Sequence, residues 1–225
     1  MRVSIIIPTL NEAKVVEKTL ARIARLAPHE IIVGDGGSLD GTLDIAAKYA
    51  SRIVTAPRGR AAQMNAAAQA AAGDALVFLH ADSAVEPAGY AKMVEALRRG
   101  NIVGGAFSLR IESDKLSLNL ISILATWRAK RLHLAYGDQA IFVRRDVFGR
   151  IGGFSPLPIC EDLDFFRKLR KEGGVVILDE KAVTSPRRWQ KEGVFLTTFR
   201  NAIIAGLFLL GCPPKFLSKW YLSVR

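Results

Sequence analysis

Short apolar runs alternate with helical stretches through the first hundred residues, and this alternation constrains the fold more than any other feature of the sequence. The apolar runs predict four strands, Val3–Ile7, Glu30–Val33, Arg52–Thr55 and Ala75–Leu79. In the first stretch between them, Val16, Leu20 and Ile23 recur on one face of a helix. Two further helices are predicted over Asp40–Ala50 and Ala61–Ala72. Strands that alternate with helices form βαβ units with a parallel sheet, so an α/β fold is expected.

The second half of the chain is less regular but mixes the same elements. The pattern predicts two strands, Ile102–Ile111 and Gln139–Val143, and three helices, Leu116–Leu134, Asp146–Ile151 and Glu161–Lys171. No linker, repeat or low-complexity stretch divides the chain, so we expect one domain over residues 1–225. Its mixed, mainly parallel sheet is expected to be Rossmann-like, flanked by helices and followed by a C-terminal helical tail.

Basic residues outnumber acidic residues, and this imbalance indicates anionic partners. The chain has 32 Lys and Arg against 21 Asp and Glu, a formal net charge of +11. Such a charge favours nucleic acid, anionic lipid or phosphorylated small molecules without choosing among them. The basic residues are scattered along the chain, so no nucleic-acid partner is expected. Cys160 and Cys212 have neither disulfide nor metal-ligand spacing, which predicts a reducing, cytoplasmic setting.

Polar residues cluster where three of the predicted strands end. These clusters are Pro8-Thr9-Leu10-Asn11-Glu12, Asp35-Gly36-Gly37-Ser38 and His80-Ala81-Asp82-Ser83. In open α/β sheets ligands bind at the carboxyl ends of the strands, so the three loops are expected to converge on one crevice. Asn11 also suits a helix cap, and Asp40 suits the cap of the second helix. Asp35 has two open roles, as a turn residue or as a hydrogen-bond acceptor for a base or ribose.

The segment His80-Ala81-Asp82 suits a divalent metal. Its two polar side chains are spaced i and i+2 on an extended segment and therefore point the same way. One carboxylate together with two substrate phosphates is typical of Mg²⁺ or Mn²⁺ sites. A nitrogen ligand from His80 favours Mn²⁺. The alternative is a surface turn with a solvated Asp82.

Basic residues at two places predict phosphate contacts. Arg58 and Arg60 precede the helix that contains Asn65, and a helix N-terminus with guanidinium groups beside it binds phosphate. Neither the phosphate loop of NTPases nor the glycine pattern of dinucleotide-binding domains is present. Arg187-Arg188-Trp189 suits a leaving pyrophosphate, or is a basic surface.

Cys160-Glu161-Asp162-Leu163-Asp164 begins a predicted helix with three acidic residues in four positions. Acidic residues stabilise a helix N-terminus, and that structural role accounts for one or two of them. The functional interpretation is that one is a general base for an acceptor hydroxyl. Cys160 is interpreted as a small buried side chain, since no His lies near it in the sequence.

The C-terminal segment is apolar and then basic. Residues Gly193–Gly211 are mostly apolar but include Arg200 and Asn201. The uninterrupted apolar run is too short to cross a bilayer. Basic and aromatic residues follow it, so residues 193–222 suit a helix on a membrane surface, or equally a helix packed on protein.

Taken in order, these segments resemble glycosyltransferase family two, the inverting enzymes of GT-A fold. The resemblance covers roughly residues 3 to 190 and lies in the order and spacing of several short motifs. They are Pro8-Thr9-Leu10-Asn11-Glu12, Asp35-Gly36-Gly37-Ser38, Asp40-Gly41-Thr42, Asp82, Gly104-Gly105-Ala106-Phe107, Gly152-Gly153-Phe154 and Glu161-Asp162. Arg58-Gly59-Arg60 with Gln63-Met64-Asn65, and Leu79-His80-Ala81-Asp82, are similar to small stand-alone bacterial members of the family.

The resemblance implies a role for each matching position. The implied donor-binding residues are Pro8, Thr9, Leu10, Glu12, Asp35, Gly36, Arg58, Arg60, Asn65, Ala81, Asp82, Arg188 and Trp189. Asp35 would hydrogen-bond the base, and Asp82 would bind the metal, with His80 in place of the first carboxylate of the family's motif. Asp162 would be the catalytic base, with Glu161 orienting it or binding the acceptor. The family's Gln-x-x-Arg-Trp element is absent in that form.

The implied reaction is a single displacement that moves a hexosyl group from a UDP-sugar to a hydroxyl acceptor, of lipid or isoprenoid type. Residues 1–110 would bind the donor, 111–190 the acceptor, and 191–225 would form the tail, at the cytoplasmic face of a membrane. Three alternatives stay open: a sugar-phosphate nucleotidyltransferase, a basic nucleic-acid-binding domain, and a catalytically inactive relative. A nucleotidyltransferase would normally carry a Gly-rich basic loop after the first strand, and this chain does not.

Overall fold

Apolar side chains fill both faces of the central strands, which is the pattern of strands covered by helices on each side. The structure is a computed structural model that describes residues 1–220. Its first four strands are β1 (Val3–Thr9), β2 (Glu30–Asp35), β3 (Arg52–Thr55) and β4 (Ala75–Phe78). They pair in parallel in the order β3-β2-β1-β4, which confirms the four predicted strands.

The sheet continues with strands that run in both directions. They are β5 (Ser83–Val85), β6 (Ile102–Ile111), β7 (Ile141–Arg144) and β8 (Gly174–Thr184). The complete order is β3-β2-β1-β4-β7-β6-β8-β5, and β7 is antiparallel to both of its neighbours. The predicted mixed, mainly parallel sheet is therefore confirmed. β5 and β8 have no predicted counterpart, because β5 has only three residues and the apolar run of β8 is interrupted by Asp179-Glu180-Lys181.

Helices cover both faces of the sheet. Those of the first half are α1 (Ala13–Ala24), α2 (Thr42–Ala46), α3 (Arg60–Gln69) and α4 (Pro87–Arg98). Those of the second half are α5 (Leu116–Leu132), α6 (Arg145–Ile151), α7 (Glu161–Glu172), α8 (Arg187–Glu192), α9 (Val194–Leu209) and α10 (Pro214–Leu217). All the predicted helices are present, although α2 is shorter than predicted. α4 has no predicted counterpart, even though a proline at its first position is a typical helix start.

Successive residues of β1 pack into two different cores. Ile5 and Ile7 belong to the core that α1 covers, where they are buried together with Leu20. Ile6 belongs to the core on the opposite face, which α3 covers with Met64. Side chains alternate along a strand, so a strand that is buried on both faces is apolar throughout. The strand ends that carry the predicted site are thus held between two layers of helices.

The prediction that Asn11 caps the first helix is wrong. α1 begins at Ala13 without a side-chain cap, and Asn11 has a left-handed φ of 55°. Its Oδ1 instead accepts a hydrogen bond of 2.8 Å from the backbone N–H of Leu39, in the loop after β2. From that loop Asp40 accepts hydrogen bonds from the N–H groups of Ala13 and Thr42. Asp40 therefore serves the starts of both α1 and α2, and the loops after β1 and β2 hold each other.

The tail is helical from α8 to α10, as predicted. Over residues 1–220, no helix is both long enough and apolar enough to cross a membrane. Residues 221 and 222 of the predicted surface segment, and the rest of the chain to residue 225, lie outside the described residues.

β6 approaches β8 most closely at Gly105. A Cβ at this position would collide with the backbone carbonyl oxygen of Val176 and lie within 2.8 Å of the Phe142 ring. The two strands therefore need glycine here to stay hydrogen-bonded. Gly149, on α6, has open space around the same position.

We expect Gly105→Ala to lower the free energy of unfolding by about 2 kcal/mol or more, because the added methyl group forces the strands apart. Gly149→Ala is the matched control and is expected to raise it by about 0.5–1 kcal/mol, since Ala favours a helix more than Gly does. Urea denaturation followed by circular dichroism measures both values. Wild-type stability in Gly105→Ala would contradict the close approach of the strands.

Candidate active site

A cavity of about 820 Å³ opens at the edge of the sheet where β1 and β4 end. Most of the residues predicted to act in the site line this one cavity. They are Pro8, Thr9, Leu10, Glu12, Arg58, Arg60, Asn65, His80, Ala81, Asp82, Glu161, Asp162, Arg188 and Trp189. Asp35 and Gly36 do not line it. Two of the three predicted strand-end loops therefore converge on the cavity. The third, which follows β2, does not line it but is hydrogen-bonded to the loop after β1.

Asp35 is buried, and its carboxylate accepts hydrogen bonds from neighbouring residues of the protein. Its carboxylate accepts hydrogen bonds from the N–H groups of Gly37 and Ser38, both 2.8 Å, and from the hydroxyls of Ser38 and Thr9. Burial alone would raise the pKa of Asp35, but these hydrogen bonds outweigh it and hold the pKa below its usual value. Gly36 donates its N–H to the carbonyl oxygen of Thr9. The contact of Asp35 with a nucleotide base stays a prediction.

The antiparallel direction of β7 brings a further loop to the cavity. Phe78, the last residue of β4, pairs with Ile141, the first residue of β7. The residues that precede β7 therefore lie beside those that follow β4, and Tyr136 and Asp138 line the cavity. The sequence did not reveal either residue, because the rule that ligands bind at the carboxyl ends of strands finds only residues that follow parallel strands. The available signal was a Gly-Asp-Gln triplet placed directly before an apolar run.

Arg187 joins two carboxylates in the cavity. Its Nε donates a hydrogen bond of 2.7 Å to Asp82 Oδ2, and its Nη1 and Nη2 donate to the two carboxylate oxygens of Glu12. β8 positions it, because Thr184 at the end of that strand pairs with Ser83, directly after Asp82. Burial alone would lower the pKa of Arg187, but the two carboxylates raise it above its usual value. The guanidinium group thus stays charged and links the loop after β1 to the loop after β4.

His80 and Asp82 supply two donor groups of the kind that the predicted metal takes, and Arg187 already binds Oδ2 of Asp82 in the free protein. Burial, and then the positive charges of three arginines led by Arg60, lower the pKa of His80 to about 3. The imidazole is therefore neutral, and a neutral imidazole with a carboxylate is a donor set that Mn²⁺ accepts. Over residues 1–220, no group of three or more His, Cys, Asp or Glu side chains is arranged to hold an ion. An ion at this place would take its other ligands from substrate oxygens and water.

Glu161 and Asp162 begin α7. Asp162 is held by the backbone, since its Oδ2 accepts a hydrogen bond of 2.6 Å from the N–H of Gly137 and its Oδ1 accepts one of 2.7 Å from that of Leu163. Glu161 is buried, with Oε1 lying 3.9 Å from Nη1 of Arg60. Burial, and then the charge of Asp162, raise the pKa of Glu161 to about 7. Asp162 is thus the oriented carboxylate of the pair, and Glu161 exchanges its proton near neutral pH.

Cys160, just before α7, is buried as predicted. Burial, and then the charges of Asp162 and Glu161, raise the pKa of its thiol to about 12. The thiol therefore stays protonated, and a protonated thiol is a poor nucleophile.

Three arginines predicted to contact phosphate line the cavity from two directions. Arg58 and Arg60 lie at the start of α3, and Arg188 lies on α8. Beside Arg188 the indole of Trp189 is buried, and its Nε1 donates a hydrogen bond of 3.3 Å to Thr198 on α9. The cavity therefore has positive charge on both sides of the strand ends.

Asn65 anchors a neighbouring turn. Its Nδ2 donates to the carbonyl oxygen of Phe154 at 2.8 Å, and its Oδ1 accepts from the N–H of Phe154 at 2.9 Å. Both polar atoms of the amide are thus engaged within the protein, and direct contact of Asn65 with a donor stays a prediction.

The tail supplies part of the cavity wall, which the sequence did not predict. On α9, Asn201, Ile204 and Ala205 line the cavity, and Lys215 lines it from α10. The same helix buries Ile204 against Leu163 of α7. One face of the tail helix is therefore packed on protein, which was one of its two predicted placements.

The sequence matches the model of Glycosyl transferase family 2 over residues 4–157. A PGL/p-HBAD biosynthesis glycosyltransferase of Mycobacterium bovis is 34% identical over 189 residues, which cover 72% of this chain and 67% of the relative.

Two solved structures have a similar fold. One is the mannosyltransferase PcManGT from Pyrobaculum calidifontis in complex with GDP-Man and Mn²⁺, with a TM-score of 0.67 and 22% identity over 90% of this chain and 64% of that one. The other is S. aureus TarS 1-349 in complex with UDP-GlcNAc, with a TM-score of 0.65 and 17% identity over 82% of this chain. The aligned part spans 58% of the TarS chain, so this chain covers less than two thirds of either structure.

We expect Glu161→Gln to stabilise the free protein above neutral pH. The pKa of Glu161 is about 7 in the folded state against a usual value of 4.5, so the folded protein holds this proton more tightly than the unfolded chain does. The free energy of unfolding therefore falls as pH rises from 4.5 to 7. Gln carries no charge at any pH, so the variant does not lose this stability. At pH 8 its free energy of unfolding is expected to exceed that of the wild type by about 1 kcal/mol or more.

Thermal and urea unfolding at pH 4 and pH 8 measure this difference. Glu172→Gln, at the opposite end of α7, is the control and is expected to change stability by similar amounts at both pH values. A Glu161→Gln effect that is equal at pH 4 and pH 8 would show that the Glu161 carboxyl is not destabilised in the folded protein.

Proposed function

This chain belongs to glycosyl transferase family 2 and has the GT-A fold, and we propose that it transfers a hexosyl group from a nucleoside diphosphate sugar to a hydroxyl acceptor with inversion. One observation carries the proposal: a single cavity contains both an arginine-lined wall and a carboxylate, Asp162, that backbone N–H groups orient. In this proposal residues 1–110 hold the donor, 111–190 hold the acceptor and the base, and the tail completes the wall.

The charges and shape of the cavity support a nucleoside diphosphate donor. Guanidinium groups bind phosphate in bidentate fashion, and Arg58, Arg60 and Arg188 line the cavity. Pro8 and Leu10 offer apolar contact for a flat base. We propose UDP as the nucleotide, which is the one in the TarS complex, with GDP, present in the PcManGT complex, as the competing choice.

Asp82 and His80 are proposed to hold a divalent ion, with Mn²⁺ preferred over Mg²⁺ because of the imidazole. When bound, such an ion supplies positive charge to the departing diphosphate. Arg187 already lies against Asp82 and adds a second, permanent positive charge beside the same group. The Mn²⁺ in the PcManGT complex supports a divalent ion as the cofactor of this fold.

Asp162 is proposed as the general base. Its carboxylate is oriented by Gly137 and Leu163, so it can take the proton of an acceptor hydroxyl that enters the cavity. The acceptor oxygen then forms a bond to the anomeric carbon while the bond to the diphosphate breaks, and the diphosphate leaves with the electron pair. The arginines neutralise the charge that develops on it. A single attack from the side opposite to the leaving group inverts the anomeric centre.

We expect Asp162→Asn to lower the transfer rate by about 100-fold or more, because an amide cannot accept the acceptor proton. The affinity for the donor is expected to stay within about threefold, since the base faces the acceptor. Calorimetric titration with UDP-, GDP- and dTDP-sugars in the presence of Mn²⁺ measures donor binding and identifies the nucleotide. Product formation with the preferred donor measures transfer.

Asp164→Asn is the matched control for this experiment, because it is the same substitution two residues further along α7, where Asp164 pairs with Lys168 outside the cavity. It is expected to keep near-normal transfer. Near-normal transfer in Asp162→Asn would show that Asp162 is not the base. Donor binding without turnover in the wild type would indicate an inactive relative, and no donor binding at all would overturn the proposal.

An exposed apolar face on α5 and α9 supports a membrane-associated acceptor. Its residues recur at spacings of three and four, which places them on one side of each helix. They are Leu116, Leu120, Ile123, Leu124 and Trp127 on α5 and Phe195, Leu196, Phe199 and Ile203 on α9. The two helices adjoin, since Val194 of α9 packs against the same buried cluster as Ile121 and Ala125 of α5.

The charges around this apolar face suit an anionic lipid surface. Neither α5 nor α9 contains an acidic residue, and neither does the segment from Pro214 to Trp220. Exposed basic side chains, Arg131, Lys215 and Lys219, lie on the same elements. Apolar side chains flanked by cations bind the interface of anionic bilayers.

The opposite side of α9 lines the cavity, so the apolar face and the site share one helix. We therefore propose that the protein lies on the cytoplasmic face of a membrane. There it would receive a lipid or isoprenoid acceptor whose hydroxyl reaches Asp162 from the bilayer.

We expect Leu120→Glu combined with Leu124→Glu to weaken binding to phosphatidylglycerol-containing vesicles by about 10-fold or more, because two exposed leucines that would enter the bilayer are replaced by charged side chains. Leu39→Glu is the control: Leu39 is 90% exposed, lies in the loop after β2 and is expected to leave binding unchanged. Vesicle flotation measures both, with pure phosphatidylcholine vesicles as a neutral surface. Wild-type protein that fails to float, or that forms dimers lost in the double variant, would overturn the membrane assignment.

A further inference from the structure

The turn between α5 and β7 places a carboxylate in the cavity that nothing above uses. This turn, Gly137–Gln139, is fixed on both sides of Asp138. On one side the N–H of Gly137 is bound to Asp162. On the other side the Gln139 side chain is fully buried and donates a hydrogen bond of 3.1 Å to the carbonyl oxygen of Phe107. Asp138 therefore cannot leave the cavity without breaking this turn.

One oxygen of Asp138 has no partner. Oδ1 is shielded from solvent, yet among residues 1–220 no group donates a hydrogen bond to it. Burying a polar oxygen without a partner is unfavourable, and more so for an ionised one. Buried oxygens of this kind are rare in folded proteins and call for an explanation. Since Asp138 lines the cavity, a rotation of its carboxylate would bring Oδ1 to a ligand there, and the ligand can supply the missing hydrogen bond.

The charges around Asp138 narrow the chemistry of that ligand. Arg128, Arg60 and Arg188 lie near it and disfavour a cation, while the carboxylates of Asp138 itself and of neighbouring Asp162 disfavour an anion directly at Oδ1. Burial raises the pKa of Asp138 to about 6, so the group is still mainly ionised at pH 7.5 and acts as an acceptor. A neutral hydrogen-bond donor fits these surroundings. Hydroxyl groups are such donors, and sugars carry several.

The position of the turn indicates which substrate would offer this hydroxyl. Gly137 lies between the two catalytic sides of the cavity: its N–H binds Asp162, and a Cβ built on it would lie 2.8 Å from Nε2 of His80. In the proposed reaction the transferred sugar lies between the diphosphate near His80 and the base. Asp138 is the next residue along the turn and so adjoins the place of that sugar.

We propose that Asp138 binds a ring hydroxyl of the donor's sugar through Oδ1 and thereby contributes to the choice of sugar. This inference rests on the proposed function, because it takes the cavity to be the donor site. A site that hydrogen-bonds a particular hydroxyl rejects analogues that lack or invert it, since the buried acceptor is then left unpaired.

The test compares a nucleotide with and without its sugar. Calorimetric titration with UDP, and with UDP-glucose, UDP-galactose and UDP-GlcNAc, is carried out on wild type, Asp138→Asn, Asp138→Leu and the exposed control Asp44→Leu. We expect Asp138→Leu to weaken the preferred UDP-sugar by about 10- to 100-fold, the range for a hydrogen bond to a charged group, while UDP alone is unchanged. Asp138→Asn keeps a neutral acceptor and is expected to fall between Asp138→Leu and wild type.

Thermal stability separates this role from a structural one. A carboxylate whose buried oxygen lacks a partner does not stabilise the free protein, so the melting temperature of Asp138→Asn is expected to stay the same or rise. A lower melting temperature with equal weakening of UDP and UDP-sugar would overturn the inference in favour of a structural role.

Three further outcomes can be distinguished. If the donor affinities stay at wild-type values and the KM of the acceptor rises, Asp138 binds the acceptor hydroxyl and the donor assignment is overturned. If wild-type protein binds neither UDP nor any UDP-, GDP- or dTDP-sugar, the proposed function itself fails. Unchanged binding in Asp138→Leu, with wild-type turnover, would refute the role of Asp138 and leave the proposed function intact.

Discussion

The antiparallel pairing of β7 with β4 is the interaction on which the site depends. Because β7 starts at Ile141 opposite the end of β4 at Phe78, the loops that carry Gly137 and His80 meet at one edge of the sheet. A parallel β7 would place Gly137 at the opposite edge, and Asp162 would lose one of its two backbone donors. The Phe78 ring also packs against aromatic rings near α6 and α7, so the helix that carries Asp162 is attached to the same strand.

The first half of the fold could be predicted largely because β1, β2 and β4 are buried on both faces. Such strands appear in the sequence as unbroken apolar runs, and a charged residue within a few positions of the end of such a run marks the edge where ligands bind. Asp82 and Glu12 were found in this way, and both line the cavity. Asp35 satisfied the same pattern but does not line the cavity, because three hydrogen bonds from its own loop and one from Thr9 of β1 hold its carboxylate inside the protein.

The remaining part of the site depends on contacts between segments that are far apart in the sequence. Arg187 reaches Asp82 only because β8 pairs with β5, and neither strand has a clear apolar pattern. Asp138 was missed for a different reason, since it precedes an antiparallel strand and the usual rule considers residues that follow parallel ones. The sequence predicted the helix start at Glu161. The raised pKa of the Glu161 carboxyl comes mainly from burial, which composition does not reveal. Strand direction and burial are thus what the sequence pattern leaves undetermined.

The mutual support of the loops after β1 and β2 has a consequence for the entropy of binding. Asp40 accepts hydrogen bonds from the first turns of two helices, and Asn11 accepts one from the facing loop at Leu39, so neither loop can open without the other. A ligand that binds against these loops does not have to order them first. Less conformational freedom is lost on association, and more of the contact energy appears as affinity. The end of the cavity where the nucleotide is proposed to bind is therefore preorganised by hydrogen bonds within the protein.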